Sequence, residues 1–278
     1  MSRTELSGVS VAGLETCIEV PQVKLLLDLG SCSRTAVNQP VVLLSHGHLD
    51  HMGAIAQHAA RRSLLGMSEG TYVVPRRIAS QVEDLFNAAG RLDGQVIPRR
   101  VVALEPGEEH PLGKGRVVRA FETYHRVPSQ GYTVWETRSR LLPEFRELPG
   151  IELGKLRRSG AVLDERYQAA LLSFTGDTRV EVLERTAELA QSECLVIECS
   201  FLDELVPTPQ AREMGHIHLD ELVARAELLS QADIVLSHFS ARYGANDVAR
   251  ILQRKLPDEL RKRVRILTGP TSPASRAP

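Results

Sequence analysis

The chain has 278 residues, of which 42% are hydrophobic and 25% are charged, as is usual for a globular protein. This apolar content excludes an intrinsically disordered chain, and a formal net charge of −1 means that any nucleic-acid site would be a local patch. The sequence has no apolar run that could span a bilayer and no secretory signal, so we expect no membrane contact. Its four cysteines form no CxxC pair, which predicts reduced thiols in a cytoplasmic protein.

The predicted elements alternate between strands and helices along most of the chain. Apolar runs predict strands at 16–20, 23–27, 41–44, 71–74, 101–104, 117–121, 132–136, 170–174, 194–198, 233–237 and 264–267, the first two forming a hairpin. Amphipathic patterns predict helices at 53–65, 75–89, 180–190, 219–229 and 247–256, with Gly90 ending the second. This order predicts an α/β protein with two mixed β-sheets and helices outside them, which would form a four-layer αββα sandwich.

Two stretches fall outside this pattern. Residues 138–164 carry many charges and few periodic apolar side chains, so we expect a long, partly irregular insertion. Residues 269–278 combine prolines with small residues and are predicted to form a disordered tail.

One short segment carries an unusual density of metal-binding side chains. A buried strand leads into His46, His48, Asp50 and His51, and a helix begins directly afterwards. Four potential ligands within six residues require a tight loop, which Gly47 permits. Imidazole and carboxylate groups are the ligand set of zinc and similar metals. The alternating positions of His46 and His48 point these two rings in the same direction. Asp50 and His51 then turn toward a neighbouring point, so the segment predicts two metal ions side by side.

Three further polar residues follow predicted strands in the same manner. His125, Asp177 and His238 each lie just beyond the carboxyl end of an apolar strand, the edge at which α/β proteins collect their ligand sites. Each residue alone is a weak signal, because a lone histidine after a strand is more often structural. With the cluster, the five histidines and two aspartates complete two metal centres, with Asp177 as the bridging ligand and one open position for water.

These motifs resemble the metallo-β-lactamase superfamily of dinuclear metallohydrolases. The sequence contains HxHxDH, then a histidine, GD and SH, in the order that this superfamily shows. Other segments are similar to ribonuclease Z, the tRNA 3′-processing endonuclease, in its short form: HRVPSQGY (125–132), FTGDTR (174–179), ECSFLDE (198–204), GHIHLDE (215–221) and LSHFSARY (236–243). The resemblance extends over nearly the whole chain and implies a single metallo-β-lactamase-fold domain at 1–268.

The resemblance also implies a role for each site residue. It assigns the first zinc to His46, His48 and His125, the second zinc to Asp50, His51 and His238, and the bridging position to Asp177. Asp50 would additionally orient or deprotonate the attacking water. The implied reaction is attack of a hydroxide, held by two zinc ions, on the phosphodiester of a precursor tRNA, which leaves a 3′-hydroxyl on the tRNA.

A general acid and a dimer are further implications of the resemblance. It places Glu198 and His216 beside the scissile phosphate, where His216 would protonate the departing 3′-oxygen and Glu198 would orient its ring. His218 would turn away and cap a helix, although capping by both histidines remains the alternative. Members of the family act as homodimers, so we expect one here.

The sequence departs from the family pattern in two places. The family has a common four-residue motif that corresponds to 197–200 here, and Ile197 stands where that motif usually has a histidine. The interval between His125 and Asp177 also lacks the long arm that grips tRNA in larger members. The basic residues of 138–164 are either a reduced RNA contact or a solvated charged loop. Arginine pairs at 61–62, 76–77 and 99–100 suggest phosphate contacts, and we expect at most one pair to make them. His58 is expected at the surface.

Two other functions remain open from the sequence. A different dinuclear hydrolase of the same fold, acting on a small phosphodiester or an ester, would use the same metal ligands. A binding protein with a vestigial site is disfavoured, because loss of function would be expected to erode some of the seven ligands.

Overall fold

The computed structural model describes residues 3–268 and 275–276, and within them fifteen strands form two mixed sheets. The strands are β1 (Ser7–Ala12), β2 (Glu15–Val20), β3 (Leu25–Leu27), β4 (Val41–Leu43), β5 (Gly70–Pro75), β6 (Arg99–Leu104), β7 (Glu109–Gly113), β8 (Arg116–Glu122), β9 (Gln130–Leu141), β10 (Asp164–Phe174), β11 (Cys194–Glu198), β12 (Asp233–Ser237), β13 (Phe239–Ser240), β14 (Val264–Ile266) and β15 (Ser275–Arg276). The first sheet has the order β13-β1-β2-β3-β4-β5-β6, and the second has the order β15-β14-β12-β11-β10-β9-β8-β7. Each sheet combines antiparallel hairpins with a parallel region, as predicted.

Helices cover the outer faces of both sheets. The described helices are α1 (Leu49–Met52), α2 (Ile55–Leu64), α3 (Ala79–Asp93), α4 (Gly150–Arg158), α5 (Glu181–Arg185), α6 (Thr208–Met214), α7 (Leu219–Val223), α8 (Ala245–Lys255) and α9 (Asp258–Arg261), of which α4 covers neither sheet. Short 3-10 turns continue α5 at Ala187–Gln191 and α7 at Ala226–Leu228, so the predicted helices at 180–190 and 219–229 are each divided in two. None of the described helices combines the length and the apolarity needed to cross a membrane.

Three apolar cores separate four layers. Side chains alternate across the strands, so Val196 of β11 faces the core between the sheets while Leu195 and Ile197 face the helices outside. The outer core of the second sheet receives apolar residues from α5, α7, α8 and α9. The outer core of the first sheet receives Ile55 from α2 and Phe86 from α3. The αββα sandwich predicted from the sequence is therefore confirmed.

The helix predicted at 75–89 corresponds to α3, and its predicted end at Gly90 is wrong. Gly90 lies inside α3, where a Cβ atom would approach the carbonyl oxygen of Gln95 to 2.7 Å. The residue is a glycine because the following loop packs closely against it. The helix ends instead at Gly94, whose φ of +75° is the left-handed conformation that closes many helices.

The insertion is more regular than the sequence indicated. Its first residues extend β9 to Leu141 and its last residue begins β10, and the two strands pair antiparallel over their whole length. The helix α4 lies at the tip of this hairpin. The tail predicted at 269–278 falls outside the described residues, except that the backbone of β15 pairs with β14.

Candidate metal centre

The seven predicted ligand residues all lie at the edge where the carboxyl ends of strands from both sheets meet. His46, His125 and Asp177 each follow three residues after the end of a strand, namely β4, β8 and β10. His238 follows β12 directly. His48 caps the N-terminus of α1, which carries Asp50 and His51. The strand ends of the second sheet thus bring distant residues to the short loop of the first.

The first group of side chains is formed by His46, His48 and His125. The Nδ1 atom of His48 lies 2.9 Å from Nε2 of His46 and 3.4 Å from Nε2 of His125. Ligand atoms of one tetrahedral zinc lie about 3.3 Å apart when each zinc–nitrogen bond is about 2.0–2.1 Å long. One potential ligand atom from each residue, and one from Asp177, lie within 4.8 Å of one another, so this group is compact enough for one metal ion.

The second group is formed by Asp50, His51 and His238. The Nε2 atoms of the two histidines lie 3.1 Å apart, and Oδ2 of Asp50 lies 3.4 Å from the first and 3.6 Å from the second. The backbone amide of Gly13, in the turn between β1 and β2, donates a 2.8 Å hydrogen bond to this same carboxylate oxygen. The loop of the first sheet therefore holds Asp50 toward His238 of the second.

Asp177 lies between the two groups. Its Oδ2 atom is 3.7 Å from Nε2 of His46 in the first group and 3.4 Å from Nε2 of His51 in the second. The side chain is buried, and its Oδ1 atom accepts no hydrogen bond from any described residue. The Nδ1 atom of His238 lies 3.3 Å from this oxygen without forming a hydrogen bond to it. A buried carboxylate oxygen without a hydrogen bond is costly, and a nearby cation reduces that cost. The carboxylate and imidazole donors together therefore fit a divalent metal site.

The histidines of the first group are suited to ligation in their protonation state, whereas His51 is not. Burial would lower the pKa of His51, but the carboxylates of Asp177 and Asp28 hold it well above its ordinary value, so this ring must release a proton when a metal binds. Burial lowers the pKa of His46, His48 and His125, so each ring is neutral near pH 7 and keeps a lone pair for a metal. Burial alone would raise the pKa of Asp177, but the imidazoles of His238 and His51 hold it well below its usual range. Asp177 is therefore a carboxylate, as a bridging ligand must be.

Asp28 supports the first-sheet ligands and was not found from the sequence. Its Oδ2 atom lies 2.6 Å from Nδ1 of His51, and it also accepts a 2.7 Å hydrogen bond from the hydroxyl of Ser45. Ser45 Oγ in turn lies 2.9 Å from Nδ1 of His46. Such outer contacts leave Nε2 of each ring free for the metal. The only sequence signal was a polar residue directly after the apolar run of β3, the same signal that identified His238.

The second-sheet ligands have separate supports. Nδ1 of His125 donates a 2.9 Å hydrogen bond to the carbonyl oxygen of Gly215. Nδ1 of His238 lies 3.1 Å from the hydroxyl of Ser200, and its backbone amide donates to Ser10 Oγ. His238 has a φ of +59°, a strained conformation that persists where the surrounding structure requires it. In both histidines the Nε2 atom faces the metal centre.

Glu198 and His216 form a hydrogen-bonded pair at the side of the centre. Oε1 of Glu198 lies 2.9 Å from Nδ1 of His216 and also accepts from the backbone amide of Thr178. Oε2 accepts a 2.7 Å hydrogen bond from Ser200. Burial would lower the pKa of His216, but the Glu198 carboxylate raises it to about 9, so the ring is protonated near pH 7. His216 also lies 3.9 Å from Asp177, with 15% of its side chain exposed.

Other predicted residues lie elsewhere. His218 caps α7: its Nδ1 accepts from the amide of Asp220, and its Nε2 donates to the carbonyl oxygen of Asp203. His58, expected at the surface, is fully buried and hydrogen-bonded to Tyr72 and Gln39, and burial lowers its pKa to about 4. The prediction for His58 is wrong because α2 turns that face toward the first sheet.

The three arginine pairs lie in different surroundings. Arg62 is buried and donates to backbone carbonyls, and Arg99 pairs with Glu83. Only the pair at 76–77 lies beside the metal centre, where both arginines line a cavity together with His125.

Comparison with known proteins agrees with this fold and site. A family model described as the beta-lactamase superfamily domain matches residues 31–239, which include all seven predicted ligands. The chain therefore belongs to the β-lactamase superfamily. A tRNase Z of Arabidopsis thaliana is 37% identical over 265 residues, which cover 95% of this chain and 94% of the relative. A chloroplastic tRNase Z of the same plant is 33% identical and covers 87% and 69%.

These similarities place the chain within the superfamily: it belongs to the ribonuclease Z family, and it is a hydrolase. Solved structures support the fold. A metallo-β-lactamase fold protein of Bacillus subtilis has a TM-score of 0.65 at 14% identity and covers 97% of this chain and 98% of its own. The short form of human tRNase Z has a TM-score of 0.57 at 18% identity and covers 85% and 92%.

Proposed function

We propose that this protein is a zinc-dependent endoribonuclease that removes 3′ trailers from precursor tRNAs. Membership of the ribonuclease Z family supports the general activity on tRNA 3′ ends. The observation that carries the finer proposal is the buried carboxylate of Asp177, which lies between two compact groups of ligand atoms and has an oxygen without a hydrogen bond. One carboxylate shared by two groups is the arrangement that a two-metal phosphodiesterase needs.

Two zinc ions are the cofactors of this proposal. His46, His48 and His125 would hold one ion, Asp50, His51 and His238 the other, and Asp177 both. Bound zinc would polarise the phosphodiester and lower the pKa of the attacking water. The neutral rings of the first group and the ionised Asp177 would bind such ions without first releasing protons, whereas the protonated ring of His51 would release one.

Asp50 is proposed to act on the attacking water as well as on a metal. Its Oδ2 atom is fixed by the amide of Gly13, and its side chain is 14% exposed, the largest exposed fraction of the carboxylates at the centre. A partly exposed carboxylate beside the reacting phosphate can accept a hydrogen bond from water and so orient it.

His216 is proposed as the general acid. Its protonated ring carries a proton at Nε2, since Nδ1 is engaged by Glu198. Delivery of this proton to the departing 3′-oxygen would leave a 3′-hydroxyl on the tRNA and a 5′-phosphate on the trailer. Glu198 acts through the ring: its four hydrogen-bond partners fix its position, and it therefore fixes the orientation of His216.

A homodimer in the cytoplasm completes the proposal. Leu92 near the end of α3 and Val96 just after it are 91% and 81% exposed, and Val96 lines a groove of about 580 Å³ together with Phe86 and Ile97. Large exposed apolar side chains beside a groove are typical of an interface between subunits. Light scattering at micromolar concentration should report twice 30.7 kDa, and a monomer with full activity would contradict the dimer.

One experiment tests the activity and the cofactor together. Protein purified without chelator is analysed for metals and incubated with a 3′-extended precursor tRNA and, separately, with bis(p-nitrophenyl) phosphate. We expect about two zinc ions per chain and a single cut at the tRNA 3′ side. Hydrolysis of the small diester without cleavage of the precursor would favour the alternative hydrolase. A metal content near zero in active protein would exclude the zinc mechanism.

A further inference from the structure

An apolar cavity lies directly beside the metal ligand His48. Its volume is about 370 Å³, and His48 and Gly47 form one wall. The remaining walls are mainly apolar: they are formed by Met52, Ile78, Val82, Val127 and Pro128. Gln81 of α3 lies exposed at the rim. The cavity therefore combines a hydrophobic interior, a polar rim and immediate access to the reacting phosphate.

A second cavity of about 370 Å³ lies on the other side of the loop that contains Val127 and Pro128. It shares Arg77, Val127 and Pro128 with the first cavity, and it reaches His125. Its lining is more polar. The two cavities therefore flank the metal centre side by side, and a single loop separates them.

The charges around the two cavities suit a strand of nucleic acid. Arg76 forms ion pairs with Glu105 and Glu108, so its charge is neutralised. Arg77 and Arg126 are exposed and form no ion pair with any residue that the structure describes. Both guanidinium groups line the cavity that reaches His125, where they would be available to the phosphates of a bound strand.

We propose that the apolar cavity holds the nucleobase of the first trailer nucleotide, the one attached through its 5′-oxygen to the scissile phosphate. This inference rests on the proposed function. The 3′-oxygen departs toward His216, which contacts the ring of His125 from one side. His48 contacts the same ring from another side, with a centroid distance of 5.1 Å. The nucleotide on the His48 side is then the trailer nucleotide, and its base enters the cavity beside that residue.

The chemistry of the cavity favours a base over other occupants. A base is flat and apolar on its faces, and contact with apolar or aromatic side chains stabilises it without regard to sequence. Its polar edge would meet the amide of Gln81 at the rim. Because His48 forms one wall, a group attached to a phosphate at the proposed metal centre can reach this cavity.

The test uses an abasic nucleotide and a variant that fills the cavity. Three precursor tRNAs are compared: the unmodified one, one with an abasic first trailer nucleotide, and one with an abasic last retained nucleotide. For the native enzyme, we expect the abasic trailer nucleotide to lower kcat/KM about tenfold, within the range for loss of one stacked base. The abasic retained nucleotide should have a much smaller effect.

The variant Gln81→Trp places a large ring at the cavity mouth. It should lower kcat/KM on the unmodified precursor about tenfold and make the enzyme indifferent to the abasic trailer nucleotide. Gln81→Ala leaves the cavity open and keeps the sensitivity to that base. Gln57→Trp is the matched control, since Gln57 is an exposed residue of α2 that lines neither cavity.

Two results would overturn the inference while the proposed function stands. One is a native enzyme that cuts all three precursors equally well. The other is a Gln81→Trp variant that behaves like Gln57→Trp on every precursor. A native enzyme that cuts no precursor would overturn the proposed function, and this inference with it.

Discussion

The two sheets contribute to the metal centre in different ways. The first sheet supplies four of the proposed ligands from one segment of six residues, which follows β4 and continues into α1. The second sheet supplies three proposed ligands and the Glu198–His216 pair from strand ends and loops that are far apart in sequence. The compact half is a local motif, whereas the dispersed half exists only when β8, β10, β11 and β12 are aligned in one sheet.

The hydrogen-bond partners that orient the proposed ligands also differ between the two halves. In the compact half, Asp28 orients His51 directly and reaches His46 through Ser45. In the dispersed half His125 and His238 have separate partners, the carbonyl oxygen of Gly215 and the hydroxyl of Ser200. One substitution can therefore affect two ligands in the first half but only one in the second.

The largest expected effect comes from the compact half. Asp50→Ala removes a metal ligand and the group that would orient water, so turnover on precursor tRNA should fall by several orders of magnitude. The fold should survive, because the side chain is at the surface of the centre and its main support is one backbone amide. Circular dichroism checks the fold. Near-normal cleavage by a folded Asp50→Ala protein would refute this role.

The dispersed half offers a test that separates catalysis from metal binding. His216→Ala should keep both metals and lose at least about a hundredfold in kcat, which is the low end for a lost general acid. His218→Ala is the control, because His218 caps α7 and makes no contact with the seven ligands. Metal content and single-turnover rates are measured for both. Equal losses in the two variants, or metal loss in the first, would show that His216 is misassigned.

A smaller effect compares the supports directly. Asp28→Asn preserves the shape of the side chain but removes its charge, so metal affinity should fall about 10- to 100-fold, as is usual for outer-shell partners. Ser200→Ala removes the hydroxyl beside His238 and should have the weaker effect, because only one ligand depends on it. Competition with a chelator of known affinity measures both. A stronger effect of Ser200→Ala would reverse the proposed order of the two halves.

The smallest effect is expected outside the centre. Arg157 pairs with Asp164, whereas Lys155 and Arg158 form no ion pair with any described residue. Replacement of Lys155 and Arg158 by alanine should raise KM for precursor tRNA by a few fold and leave kcat and the small-diester rate unchanged. An unchanged KM would mean that the basic face of α4 is simply solvated.

The difference between the halves also explains what the sequence could predict. The cluster at 46–51 is visible in six residues, and strand ends indicated His125, Asp177 and His238. The pairing of Glu198 with His216 came only from the family resemblance, because no local pattern joins a strand end to a loop eighteen residues away. Asp28 was missed because a single aspartate after a strand gives no sign of what it contacts.

The fold was predictable where the hydrophobic period was strong. The buried strands β4, β11 and β12 were located to within one residue at each end. The strand β1 was missed because serines and a glycine interrupt its apolar positions, and pairing with β2 supplies the order that its sequence lacks. The helix α4 was missed because none of its side chains is fully buried, so it has no apolar face to detect.

The position of the short strand β13 has a consequence for the folding of the newly synthesised chain. It follows His238 directly, and its Phe239 pairs with Val11 of β1, so two segments that are distant in sequence meet beside the last of the seven proposed ligands. A nascent chain that has not yet released residue 239 from the ribosome therefore lacks a metal ligand and an edge of the first sheet. The proposed metal centre can therefore assemble only after β13 has been synthesised and has paired with β1.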